Sequence, residues 1–261
     1  MLPSLKYTVV IAASLAAFAA PASAQHLHTN GRWDECAIVL SPHLTADSWR
    51  QFAKELGLVT YFRPLASAKP LGRGNGEVAL VQWGTRIDDS DAAWNDTFSH
   101  PDSTHYLFEG SMLNIPGVMA RVGVTDRLDV GAYFTKSIGA NYGFIGGQVQ
   151  YGLLKGSENG IDGAGRLSAV HVYGPEDMTA TTLGADLVVS KDISIFAPYA
   201  GVSGYMVHAR ETTDQVDLDD MNIFGAQAMV GLTAQVSAVR VGAEYNFAKK
   251  SGTSLKIAFG F

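Results

Sequence analysis

The sequence predicts an all-β fold: an antiparallel transmembrane β-barrel of ten strands, within a range of eight to twelve, preceded by a short amphipathic helix. Three observations predict it. The segment from Thr253 to Phe261 alternates apolar residues with small or polar ones. Similar segments recur from Asn75 onward, and only 17% of the residues are charged, whereas 28 are glycine. Such alternation places one side of each strand against lipid and the other in a polar lumen.

The first 24 residues are typical of an export signal. Lys6 is followed by an apolar run from Tyr7 to Ala20 and by a small-residue cleavage site at Pro21–Gln25. The run is shorter than the roughly 20 apolar residues that a membrane-spanning helix needs. We therefore expect cleavage after Ala24.

The composition excludes some functions. The formal net charge is −6, with no basic cluster, so nucleic acid is not expected as a partner. The single cysteine, Cys36, cannot form an internal disulfide in an exported protein. Closing the sheet on itself supplies another source of stability.

Residues 25–74 are predicted to form a periplasmic N-terminal segment with a helix over about residues 45–56. Its apolar face repeats at helical spacing, with Thr45 as N-cap and Gly57 as the stop. The face consists of Trp49, Phe52, Ala53 and Leu56. We expect the helix to cover the periplasmic rim of the barrel. The alternative is a plug inserted into the lumen.

Residues 75–261 are predicted to be the barrel. The ten strands are placed near residues 75–87, 116–125, 127–137, 142–154, 162–173, 179–190, 193–208, 220–235, 238–249 and 252–261. In the five strands with the clearest registers, those beginning near 116, 127, 179, 220 and 238, the outward set contains no charged residue. A charge facing lipid at mid-depth would cost about 2–4 kcal/mol, so this absence favours a bilayer.

The opposite faces carry the charged residues that we expect to line the lumen. These are Arg121, Asp129, Asp186, Arg240, Glu244 and Lys256. Opposite charges in a narrow tube should pair, which favours a packed interior held by ion pairs. A narrow pore or a ligand cleft is the alternative. The registers near 75–87, 162–173 and 193–208 stay open, because Trp83, His171 and Pro198 fit either face.

Tight connections at 125–127, 190–192 and 235–237 alternate with long ones at 88–115 and 209–219. Outer-membrane barrels place short turns in the periplasm and longer loops outside. The two kinds of connection therefore predict an orientation as well as a fold.

With its signal at residues 1–24, its alternating strands and its last seven residues, Leu255–Phe261, the chain resembles the Gram-negative outer-membrane β-barrel families. The resemblance implies a location in the outer membrane, with lipid and lipopolysaccharide as neighbours. It also implies that Phe259 and Phe261 act as the signal read by the barrel-assembly machinery. It names no substrate, because fold alone does not give function.

No motif predicts a cofactor or a metal site. His26, His28, Cys36 and His43 lack companions at ligand spacing. One enzymatic hypothesis is a surface hydrolase of the omptin kind, with paired carboxylates and histidines at external strand ends. Its residues would be Asp88, Asp89, His100, His208, Asp219 and Asp220. The favoured function is a non-enzymatic, porin-like barrel that binds or passively passes small solutes. The other alternative is a structural barrel that interacts through its external loops.

Overall fold

The computed structural model describes residues 36–88, 91–99, 108–109, 112–136, 140–156 and 160–261. The predicted signal peptide and two members of the hydrolase set, Asp89 and His100, lie outside the described residues. No described helix is both long enough and apolar enough to cross a bilayer.

Among the described residues, regular structure begins with β1 (Ala37–Ile38) and helix α1 (Ala46–Val59), followed by the first long strand, β2 (Gly76–Arg86). One long connection then holds α2 (Ala92–Asn95), β3 (Phe98–Ser99) and β4 (Phe108–Glu109). The remaining long strands are β5 (Met112–Gly123), β6 (Leu128–Lys136), β7 (Gly143–Leu154), β8 (Asp162–Tyr173), β9 (Met178–Ser190), β10 (Phe196–Glu211), β11 (Met221–Val236), β12 (Val239–Phe247) and β13 (Gly252–Gly260).

The ten long strands form a closed antiparallel barrel. From β5 to β13 each strand pairs with the next along the chain, and β2 closes the sheet by pairing with both β13 and β5. At the closing seam Val78 stands opposite Phe259 on one side and Ala120 on the other. Closure satisfies the edge groups that an open sheet would expose. The predicted fold class and strand number are confirmed.

The outer face of the barrel is an apolar band. Leu80 is 68% exposed, Leu167 67%, Phe224 74% and Phe259 62%. In the five strands with predicted registers, the outward residues are exposed or half-buried, except for Ala234 at 7% exposure. Hydrocarbon removes this surface from water, which identifies a transmembrane barrel of the outer-membrane type.

The three registers left open by the sequence are settled by the structure. Trp83 points inward and is fully buried, whereas His171 lies on the outward face, where its Nδ1 is 2.9 Å from Thr181 Oγ1. Pro198 shares the outward face of β10 with the exposed Val202.

The two ends of the barrel differ. We call one the turn end: it carries connections 124–127, 155–161, 191–195 and 237–238, together with Phe261. We call the other the loop end: it carries connections 87–111, 137–142, 174–177, 212–220 and 248–251. Because short turns face the periplasm in outer-membrane barrels, the turn end is assigned to the periplasm.

Helix α1 begins as predicted, because Thr45 Oγ1 accepts a hydrogen bond from the Ser48 amide at 3.2 Å. The predicted stop at Gly57 is wrong, since the helix continues to Val59. Gly57 serves close packing instead: a Cβ there would lie 2.8 Å from Tyr205 Cε2 and 3.1 Å from Val207 Cγ1.

The expected position of α1 on the periplasmic rim is also wrong. Trp49 Nε1 donates to the Asp219 carbonyl at 3.2 Å, in a connection of the loop end, and the helix contacts β10 and β11. The alternative of a plug describes its position. Burial of its apolar side among lumen-facing residues drives this placement.

Candidate functional site

The lumen is occupied by the chain itself. Residues 36–75, here called the plug, run from the loop end to the turn end. Near the centre, Thr60 Oγ1 lies 2.6 Å from Thr182 Oγ1 of β9, and the Tyr61 hydroxyl donates to Asp186 on the same strand. The ring of Phe62 packs edge-on against Trp83.

Arg63 fixes the plug to the barrel at the same depth. Its guanidinium donates to the Leu58 carbonyl at 2.7 Å and to Thr85 Oγ1 at 2.9 Å, and the residue is 1% exposed. Trp83 Nε1 in turn donates to the Arg63 carbonyl at 3.0 Å. A buried arginine is costly unless its donors are used, so these contacts define one position of the plug.

Toward the turn end, inward side chains of the barrel form hydrogen bonds with the backbone amides and carbonyls of the extended plug. The carbonyl of Pro64 accepts from Lys256 Nζ at 3.1 Å, and the carbonyl of Ala66 accepts from Arg166 Nη2 at 2.6 Å. The amide of Leu71 donates to both carboxylate oxygens of Asp129, at 3.0 and 3.1 Å. An extended backbone without strand partners needs such bonds, because unpaired buried amides and carbonyls are expensive.

An ion cluster lies beside the lower plug, centred on Glu77 of β2. Its carboxylate is 3.2 Å from Arg121 Nη1, 3.0 Å from Lys256 Nζ and 3.0 Å from Arg240 Nη1. Arg121 also reaches Asp129 at 3.2 Å. Glu77 is 2% exposed, so each of these charges depends on the others.

The remaining inward carboxylates have neutral partners. Glu244 accepts from the Tyr199 hydroxyl at 2.8 Å and from Asn246 Nδ2 at 3.0 Å, and Asp186 accepts from Tyr61. Asp186 stands on β9 and Glu244 on β12.

The structure thus places all six charged candidates from the sequence inside the barrel. It brings Arg121, Asp129, Arg240 and Lys256 into one cluster and leaves Asp186 and Glu244 apart. Sequence reasoning missed Glu77 and Arg166, which stand on two strands whose registers were open. The alternation of Val78 and Leu80 with Glu77 and Ala79 is the signal that could have found Glu77.

Two cavities open at the turn end, on either side of Lys69–Leu71. The first, about 550 Å³, is lined by Lys69, Arg121, Arg240 and Lys256 against two carboxylates, Glu77 and Asp192; we call it the cationic cavity. The second, about 580 Å³, has a balanced lining of three basic and three acidic side chains. Both volumes fall in the range of small-molecule sites, which is about 300–1,000 Å³.

The loop end is closed by apolar packing. The rings of Trp49 and Phe52 stack at 5.9 Å, and Phe52 meets Trp94 of α2 edge-on at 5.1 Å. Beneath them Glu55 accepts from Trp94 Nε1 at 2.7 Å and lies 3.7 Å from Lys250 Nζ. The loop-end half of the plug therefore shares one hydrophobic core with the inner face of the barrel wall.

The described members of the omptin-like set do not form a charge relay. His208 Nδ1 lies 3.0 Å from Asn222 Oδ1, and Asp220 lies 3.9 Å from Arg210 Nε. Among the residues that the structure describes, no three His, Cys, Asp or Glu side chains come together as a metal site would require.

No protein-family model matches the chain, and no curated protein matches it. Several solved structures do. Ail of Yersinia pestis, in complex with the heparin analogue sucrose octasulfate, has 15% identity and a TM-score of 0.32, and the match covers 72% of this chain and 99% of that one. The translocator domain of the autotransporter NalP from Neisseria meningitidis has 8% identity and a TM-score of 0.37, with 81% and 93% covered. OprG of Pseudomonas aeruginosa, an outer-membrane protein, has 10% identity and a TM-score of 0.29, with 74% and 99% covered. The fold assignment rests on the closed strand order described above.

Proposed function

We propose that this outer-membrane barrel is a closed, non-enzymatic binding protein that holds a small anionic solute in its cationic cavity. The observation that carries the closed state is the course of the plug through the lumen, bonded to inward side chains of β2, β6, β8, β9 and β13. Passive passage of solutes, which the sequence left open, is disfavoured because the plug uses the space and the polar groups that a solute path would need.

The preference for an anion follows from the lining of the cationic cavity. Four basic side chains face two carboxylates there, and the cavity is recessed in the turn-end mouth. A recess with an excess of positive charge attracts anions. Arg240, whose side chain is 24% exposed, is the cation of the ion cluster best placed to meet a solute entering from the periplasm.

Planar bilayer recordings test the closed state. We expect the wild-type protein to insert into the bilayer without conducting current. We expect a variant lacking residues 40–68 to conduct, provided that the unboiled variant still migrates as a folded barrel on a gel. Steady ohmic current from the wild-type protein would overturn the proposal. If the deletion variant fails to fold, the wild-type recording still decides.

Titration calorimetry with inorganic phosphate and with succinate tests the anion preference. We expect heat of binding from at least one anion for the wild-type protein and at least a tenfold loss of affinity for Arg240→Gln. Lys191→Gln is the matched control, because Lys191 is an exposed turn-end lysine outside both cavities. Equal affinities for the two variants, or no heat from either anion, would contradict the proposal.

Peptidase assays on whole cells test the hydrolase alternative, which predicts that cleavage depends on His208. His208 lies on the outward face and pairs with Asn222 rather than with a carboxylate, so we expect His208→Ala to change no peptidase activity. Cleavage of a basic peptide by expressing cells that disappears in His208→Ala would restore the enzyme.

A further inference from the structure

The amino-terminal half of the plug is attached to four different connections of the loop end. The Ile38 amide donates to Asn141 Oδ1 at 2.9 Å, and the Val39 amide donates to the Thr97 carbonyl at 3.0 Å. The Leu40 amide donates to Asp177 Oδ2 at 3.0 Å, and Trp49 reaches Asp219 as described above. Side chains and backbone from connections 137–142, 87–111, 174–177 and 212–220 thus hold this half in place.

The other half of the plug is attached to the turn end. Lys69 pairs with Asp192 in connection 191–195, and the Gly74 amide donates to the Gly123 carbonyl at 2.9 Å. The Arg73 amide reaches Asp126 Oδ1 at 3.4 Å in connection 124–127. The plug therefore enters the sheet as β2 from the turn end.

The span between these attachments runs from Trp49, through the rest of α1, to Lys69, and it is long enough to cross the membrane. Residues 60–72 form no helix or strand. Fully extended, these thirteen residues would reach about 43 Å, and α1 from Trp49 to Val59 adds about 15 Å, which together exceed the apolar band of an outer-membrane barrel, about 25 Å tall. The segment is thus long enough to pass from one face of the bilayer to the other.

We infer that the start of the plug, residues 36–55, is displayed on the outer face of the cell and that this barrel carries its own N-terminal segment outward through its lumen. Export delivers the chain to the periplasm, the turn end faces the periplasm, and α1 lies at the opposite end. The segment before Leu56 must therefore have crossed the membrane inside the barrel. The inference does not depend on the anion site.

This topology defines an external surface that the sequence alone does not suggest. The outward side of α1 presents Asp47, Arg50 and Lys54, all exposed, next to the exposed acidic connection 212–220. Any partner that meets the barrel from outside meets this helix together with the loops. Interaction through external loops, one of the alternatives from the sequence, thereby becomes interaction through loops and plug.

Cysteine labelling on intact cells tests the topology, because the only native thiol, Cys36, is fully buried. In a Cys36→Ala background we would introduce Arg50→Cys on α1, Gln215→Cys in a loop-end connection and Lys191→Cys in a turn-end connection. All three native residues are exposed. The probe is a maleimide carrying a polyethylene glycol chain too large to cross the outer membrane.

We expect Arg50→Cys and Gln215→Cys to react in intact cells, and Lys191→Cys to react only after the outer membrane is permeabilised. Labelling of Gln215→Cys without Arg50→Cys in intact cells would overturn the inference. Labelling of Lys191→Cys alone would reverse the orientation and overturn it as well. Should the Cys36→Ala background fold poorly, the same substitutions are made with native Cys36, and the unsubstituted protein serves as the unlabelled control.

Discussion

At the scale of single residues, the interior depends on a few groups that cannot be replaced one at a time. Glu77 is the clearest case, since it is buried and faces Arg121, Arg240 and Lys256 together. One carboxylate cannot neutralise three cations fully. Asp129 supplies a second negative charge by pairing with Arg121. The cluster also supports the plug, because Lys256 bonds to Pro64 and Asp129 bonds to Leu71.

We predict that Glu77→Gln lowers the free energy of unfolding by about 3–5 kcal/mol, because it leaves buried cations without their counter-charge. Asp192→Asn is the control: its partner Lys69 is 57% exposed, and a pair of that kind contributes about 0–1 kcal/mol. Urea unfolding in detergent micelles, followed by tryptophan fluorescence, measures both. Equal midpoints for the two variants would show that the cluster is not a stabilising unit.

Gly123 limits how closely the plug can approach the barrel wall. An added Cβ would stand 2.0 Å from the carbonyl oxygen of Gly72, a backbone atom that accepts a hydrogen bond from the Asn75 amide at 3.2 Å. We predict that Gly123→Ala costs about 1–3 kcal/mol of stability through overpacking. Gly204→Ala is the control, because nothing lies within 4 Å of the added Cβ. We expect its unfolding midpoint to equal or exceed that of the wild-type protein. A Gly123→Ala protein as stable as wild type would mean that the plug exit is free to move.

At the scale of elements, α1 is stabilised in two ways, by packing along its apolar side and by capping at its first turn. Its apolar side is covered by α2 and by the walls of the lumen, while its first turn relies on Thr45. A 14-residue helix is marginal alone, so packing and capping both matter.

We predict that Thr45→Ala lowers the local stability of α1 by about 1 kcal/mol, because the Ser48 amide loses its acceptor. Thr45→Ser keeps the hydroxyl and should restore it. Hydrogen exchange of the first-turn amides reports the change, while exchange in the strands of the barrel should stay the same. Uniform loosening of helix and strands together would contradict a local role.

The strands were predictable because a two-residue period is imposed by lipid on one side and a polar interior on the other, as Val118, Ala120 and Val122 illustrate against Met119 and Arg121. The turn-end half of the plug was not predictable from the sequence, because its residues are surrounded by protein on all sides and therefore show no hydrophobic period. The registers of β2, β8 and β10 stayed open for another reason, because Trp83, His171 and Pro198 fit either face; contact with the plug decides the first, since Trp83 donates to the Arg63 carbonyl. The charged candidates followed from strand period; their partners in the plug did not.

At the scale of the whole molecule, the arrangement of polarity is the reverse of that in a water-soluble protein. Charged groups such as Glu77, Arg166 and Glu244 are buried, whereas Leu80, Leu167 and Phe224 are exposed. The low share of charged residues, 17%, suits this arrangement, because little of the outer surface meets water. The plug completes it by filling a ten-strand lumen that side chains from the wall would leave partly open.

The outer face of the whole barrel must therefore stay uncharged, and the free-energy cost of a charge there depends on its depth in the bilayer. Leu167 stands midway along β8, opposite Ala185, and is 67% exposed. We predict that Leu167→Arg lowers the folding free energy in lipid by about 2–4 kcal/mol, since a guanidinium there would face hydrocarbon.

Thr181→Arg is the matched control, because Thr181 faces outward nearer the loop end, where an arginine costs about 0–1 kcal/mol. Urea-driven folding into phosphocholine vesicles compares the two variants with wild type. Both changes add the same charge to the same face at different depths, and Thr181→Arg also removes the contact with His171, which only raises the cost of the control. If the two variants lose equal stability, or if the protein folds as a monomer in buffer without lipid or detergent, the band from Leu80 to Phe259 does not contact a bilayer, and the barrel must be placed elsewhere.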